Sequence, residues 1–86
     1  MKYAEMTYEQ RLVHLATAPR VTAKQIQQII DNEIRGFWVG RVRGKFVGGK
    51  DNYKHDSREA ALEYARRFRA DCQAEAEQKG LLPPNA

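Results

Sequence analysis

The chain has 86 residues, with 15 Lys plus Arg against 11 Asp plus Glu for a formal net charge of +4, which bounds it to one small domain. A chain this short buries only about 60% of the surface that its unfolded form exposes, which excludes a large enzyme and argues against a deep substrate cleft. With 42% apolar and 30% charged residues and a lone Cys72, the composition is that of an ordinary folded domain in a reducing compartment.

The first element begins at Thr7, an N-cap with Gln10 at the reciprocal capping position. Leu12, Val13 and Ala16 form its apolar side, and Pro19 ends it near Thr17. Thr22 and Gln25 repeat the capping pattern, and Ile26, Ile29, Ile30 and Ile34 recur at helical spacing. This predicts a second helix over residues 23–34, stopped by Gly36. Its isoleucine stripe suits either a core or a homodimer seam, so the oligomeric state stays open.

From Phe37 the period changes, and Phe37-Trp38-Val39-Gly40-Arg41-Val42-Arg43 reads as a strand rich in aromatic and β-branched residues. Gly44-Lys45 supplies a tight turn, Phe46-Val47 a second strand, Gly48 to Asn52 another turn, and Tyr53-Lys54-His55 a third short strand. The last helix opens with Asp56 as cap and Glu59 at the capping-box position. Its apolar stripe is Ala61, Ala65, Phe68 and Cys72, and Gly80 is its stop. The prediction is an α+β fold ordered α-α-β-β-β-α, with a small three-stranded antiparallel sheet packed on the C-terminal helix. Residues 1–80 form the single domain and 81–86 a flexible C-terminal tail.

The charge is unevenly placed. Arg35, Arg41, Arg43, Lys45, Lys50 and Lys54 stand against Asp51 alone in residues 35–54, while the flanking segments nearly balance. A basic stretch on a neutral background attracts polyanions. Alternation along the strand sets Trp38, Gly40 and Val42 on a core-facing side and Phe37, Val39, Arg41 and Arg43 on the opposite one. The expected binding surface is therefore an outward sheet face carrying Arg41, Arg43 and Lys45, supported by Arg35, Lys50 and Lys54. Arginines on such a face can follow phosphates or take guanine bidentately from the major groove.

Phe37-Trp38-Val39, Arg41-Val42-Arg43, Gly44-Lys45 and the helix start from Ser57 to Ala65 resemble plant ethylene-response-factor and integrase arm-type DNA-binding domains over residues 37–69. In those families a three-stranded sheet packs on one helix and enters the major groove, with outward Arg and Trp residues touching DNA. The resemblance implies duplex DNA as partner, with Arg41 and Arg43 at the outward positions, and the setting of a phage or other mobile element, as an accessory factor or regulator. The chain departs from the family pattern at Gly48-Gly49 and in the segment before Phe37. A reading of another class is a small phage-type, anti-CRISPR-like inhibitor that binds a host protein complex, since charge complementarity steers proteins and nucleic acids alike.

Catalysis has little support, because His14 and His55 fall in different elements and no Ser, His and acid set is recognisable. One Cys and two scattered His make no metal set, and the glycines match no phosphate-binding loop. No enzyme activity and no cofactor are expected. No stretch reaches the ~20 apolar residues of a membrane span, and the first residues lack a signal-peptide pattern, so a cytoplasmic protein is expected.

Overall fold

The computed structural model describes residues 2–48 and 53–83. After a 3₁₀ turn at Tyr3–Glu5 come α1 (Tyr8–Ala16), β1 (Val21–Ile30), β2 (Glu33–Val42), β3 (Lys45–Val47) and α2 (Arg58–Gln78). The strands form one antiparallel sheet in the order β1-β2-β3, with α2 packed against it and α1 packed against α2. The architecture is α+β, an N-terminal helix, a three-stranded antiparallel sheet and a C-terminal helix on the sheet, as the sequence predicts.

One element differs in kind. The segment expected to be a second helix is the outer strand β1, which runs in unbroken register with β2 from Val21 opposite Val42 to Ile30 opposite Glu33. Asp31 and Asn32 both have positive φ, 53° and 64°, as a type I′ two-residue hairpin turn requires. Asp and Asn tolerate that conformation because their short polar side chains bond locally. β2 is ten residues long and β3 only three, so β1 alone can satisfy most of the β2 ladder. The tertiary pairing overrides the helical spacing of the isoleucines.

The expected third strand at Tyr53-Lys54-His55 contracts to one bridge, in which Trp38 and His55 exchange backbone hydrogen bonds of 2.8 and 2.9 Å. The expected turn over Gly48 to Asn52 lies mostly outside the described residues.

The helix ends follow their local chemistry. Thr7 and Gln10 make the predicted reciprocal box, with bonds of 2.9 and 3.2 Å. At α2 the cap is Ser57, one residue later than expected, and its Oγ accepts from Ala60 N at 3.1 Å. Past α2, Gly80 takes φ 73° while Leu81 N donates to Ala76 O and Gly80 N to Glu77 O. That pair of bonds is a Schellman stop. Leu81 and Leu82, expected in a flexible tail, instead pack against the core. Burying their apolar surface holds the chain beyond the stop.

The core lies between α1, α2 and the near side of the sheet. Leu12, Leu15, Ala16, Ala18, Val42, Val47, Ala65, Cys72 and Ala76 form it, with Phe68 and Tyr64 at its margin. The predicted stripe on α2 is thus the packed one. Gly40 lets the helix sit close, because a Cβ there would stand 2.6 Å from Ala61 O and 3.0 Å from Ala65 Cβ. Gln73 and Arg69 fasten the two helices by donating to Ala16 O at 2.9 Å and Ala18 O at 3.3 Å.

Candidate nucleic-acid interface

Residues directly opposite each other in an antiparallel ladder share a face. With Gly40 and Val42 under α2, the register places Val21, Ala23, Gln25, Gln27 and Ile29 on the helix side. The outer face then carries Thr22, Lys24, Ile26, Gln28 and Ile30 from β1, Glu33, Arg35, Phe37, Val39 and Arg41 from β2, and Phe46 from β3.

Two basic residues lie over aromatic rings on that face, and a third stands further out. Lys54, on the segment returning from β3, sets its ammonium 4.9 Å above the Phe37 ring and donates to Gln28 Oε1 at 3.2 Å. Tyr53 meets Phe37 edge-on with centroids 6.1 Å apart. Arg41 lies 5.4 Å over Phe46 and donates to Gly44 O at 3.0 Å. Its Nε is buried with no hydrogen-bond partner among the described residues. Arg35, further out on the hairpin, makes an exposed ion pair with Glu33 at 3.4 Å, an arrangement worth less than about 1 kcal/mol and easily exchanged for another anion.

Two of the expected residues are elsewhere. Arg43 does not lie in line with Arg41, because the strand ends at Val42 and Arg43 enters a two-residue turn with φ 49°. Its guanidinium reaches back to the end of α1, donating to His14 O at 2.6 Å and Thr17 O at 3.1 Å. There it satisfies carbonyls that a helix end leaves open and opposes the negative end of the helix dipole. Lys45 stands opposite Val42 on the helix side, its ammonium 4.8 Å from the Tyr3 ring. Lys50 lies outside the described residues.

Val39 is also unlike its expectation, being on the outer face yet only 1% exposed. Lys24 and Gln28 join this face, opposite Val39 and Arg35, because Val21–Ile30 is a strand and not the expected helix. The signal that reveals them is Asp31-Asn32, which marks a hairpin between two runs rich in β-branched residues.

Other chemistry-bearing groups are dispersed. His55 stacks on Tyr64 with centroids 5.2 Å apart, whereas His14 lies on α1 beside Arg43. Burial first, then the charges of Arg43 and Lys45, push the His14 pKa below its ordinary value of 6.5. Burial, with Glu75 and Asp71 nearby, pushes the Cys72 thiol up, the opposite of what a reactive thiolate needs. Among the described residues no three His, Cys, Asp or Glu side chains cluster to hold a metal, and no helix is long and apolar enough to cross a membrane. An open groove of about 870 Å³ between α1 and the stop of α2 is lined by Thr7, Tyr8, Val13, Thr17, Lys79 and Leu81 among others.

No protein-family model, curated protein or solved structure matches the chain.

Proposed function

We propose that the protein is a non-catalytic nucleic-acid-binding protein that takes duplex DNA on the outer face of its sheet. The observation that carries this reading is the gathering of Lys24, Arg35, Arg41 and Lys54 around Phe37, Tyr53 and Phe46, with Glu33 the one acid on the paired strands of that face. Lysine and arginine neutralise phosphates, and the aromatic rings offer apolar contact to sugars and thymine methyls. The hairpin of β1 and β2 has the width of a two-stranded ribbon, which the major groove admits. The likeness of residues 37–69 to arm-type domains points the same way and adds the mobile-element setting.

Lys24, Arg35 and Lys54 supply the outward contacts, whereas Arg41, tied to Gly44 and Phe46, contributes charge and rigidity. Lys45 and Arg43 sit on the other side and would not share this phosphate track.

An inhibitor that docks on a host protein is the second reading, and it draws on Ile29 and Ile34, 78% and 72% exposed at the hairpin end. Titrating labelled duplex DNA, single-stranded DNA and duplex RNA across a salt series separates the two. Duplex-DNA preference with a log–log salt slope near −3 to −4, at about 0.9 per neutralised phosphate, supports the first reading. Absence of binding at about 50 mM salt rejects it, because electrostatic binding is strongest there.

A further inference from the structure

The free edge of the sheet has its own chemistry. In a two-residue hairpin the residues flanking the turn exchange both backbone hydrogen bonds, and the pairs beyond alternate between bonded and non-bonded. Ile30 and Glu33 flank the turn, so Gln28, Ile26, Lys24 and Thr22 bond to β2. Val21, Ala23, Gln25, Gln27 and Ile29 then turn their N–H and C=O groups away from it. The Trp38 bridge agrees, since Trp38 stands opposite Gln25 and spends its own N–H and C=O on His55 at its other edge.

Among the described residues no backbone group bonds to the outward row of β1. Natural edge strands are commonly shortened, bulged, interrupted by proline or heavily charged. β1 is ten residues long, pairs without a bulge, holds no proline and carries Lys24 as its one charge. At its end Ile29 is 78% exposed on the helix-side face.

We propose that β1 pairs antiparallel with β1 of a second copy of this chain, about a twofold axis at Gln25, to make a continuous six-stranded sheet. The axis follows from matching the outward rows. Centred there, Gln25 faces itself, Ala23 faces Gln27 and Val21 faces Ile29, so every outward N–H and C=O gains a partner. A register shifted by two residues leaves the outward groups of Val21 or Ile29 without one.

Side chains agree with that centre. Ile29 gains the second copy's Val21 as its cross-strand neighbour, and Val21 itself packs against the core. An Ile–Val pair of this kind contributes about 0.2–1 kcal/mol, and symmetry supplies it twice. The axis runs perpendicular to the sheet, so both helical layers share one side and both outer faces the other. The pairing depends on the edge alone and holds whether or not that outer face binds nucleic acid. A contact confined to one five-residue-pair edge belongs with the small, transient interfaces, which is why the association is sought at high protein concentration.

The test uses the full chain without nucleic acid. Sedimentation equilibrium in the high micromolar range should give twice the single-chain mass of 9.9 kDa. Gln25→Pro removes an outward donor at the axis and no bond to β2. It should return the mass to one chain while the circular dichroism of the fold is kept. Should Gln25→Pro fail to fold, cysteine substitutions still decide the question. Gln25→Cys should cross-link on mild oxidation, because facing residues of a bonded pair lie within disulfide reach. Gln27→Cys should not, since its copies sit four residues out of step, about 14 Å apart along the strands. Cys72 is buried and stays silent. A single-chain mass for the unmodified protein throughout that range, or equal cross-linking of the two cysteine variants, overturns the proposal.

Discussion

Gly40 on β2 and Ala61 on α2 are in backbone-to-backbone contact: a Cβ on Gly40 would stand 2.6 Å from the Ala61 carbonyl oxygen. Backbone cannot yield as the end of a flexible side chain can, so Gly40→Ala must lift the helix or bend the strand. Such overpacking costs about 1–3 kcal/mol. Denaturant unfolding should show that loss as a lower midpoint with an unchanged slope.

Arg43 contributes to the fold more than to the expected binding surface. Removing its guanidinium exposes the carbonyls of His14 and Thr17 at the end of α1, at a cost of about 1 kcal/mol for Arg43→Ala. Arg43→Gly loses the same bonds yet relieves a residue held at φ 49°, and should be more stable than the Ala variant by about 1 kcal/mol. Thermal melts of the two variants give the order. Neither substitution should alter the salt slope of DNA binding.

Lys24 and Lys54 carry the opposite expectation. Lys24→Ala and Lys54→Ala should each leave the melting curve almost unchanged, as surface substitutions do. Each should lower DNA affinity evenly across sequences and reduce the salt slope by about 0.9. A slope that stays constant in both variants would remove the outer face from the proposed interface.

His14 makes stability depend on pH. Its pKa is depressed in the folded protein, by burial and by Arg43 and Lys45, so the unfolded chain binds the proton more readily. Stability from this group is complete above its ordinary pKa of 6.5 and declines as the pH falls below that value, until the folded-state pKa is reached. Urea midpoints measured from about pH 7.5 to 5.5 should therefore fall, and His14→Gln should flatten the curve over that interval.

The helix ends were legible because their causes are local. Thr7 with Gln10 and the stop at Gly80 each need only a few consecutive residues, and the small stripe from Ala61 to Cys72 needs only its own period. The strand Phe37–Val42 was equally legible from its β-branched and aromatic content. The helix expected over residues 23–34, where the structure has β1 and the start of β2, has a clear cause. Ile26 with Ile30, and Ile30 with Ile34, satisfy helical spacing, yet in the structure Ile34 faces Ile29 across a hairpin and Ile30 faces Glu33, a pairing that spacing within one segment does not reveal.

The number of basic residues, their crowding into residues 35–54 and the α+β class were all determined by the sequence itself. Which cations share a surface was decided only by tertiary structure. A turn at Arg43-Gly44 swings one arginine onto the end of α1, cross-strand register puts Lys45 on the helix side, and the Asp31-Asn32 hairpin brings Lys24 beside Arg41, Val39 and Phe37. Charge is a property of composition, but the face on which a charge lies depends on pairing register, because one step along a strand reverses the side chain.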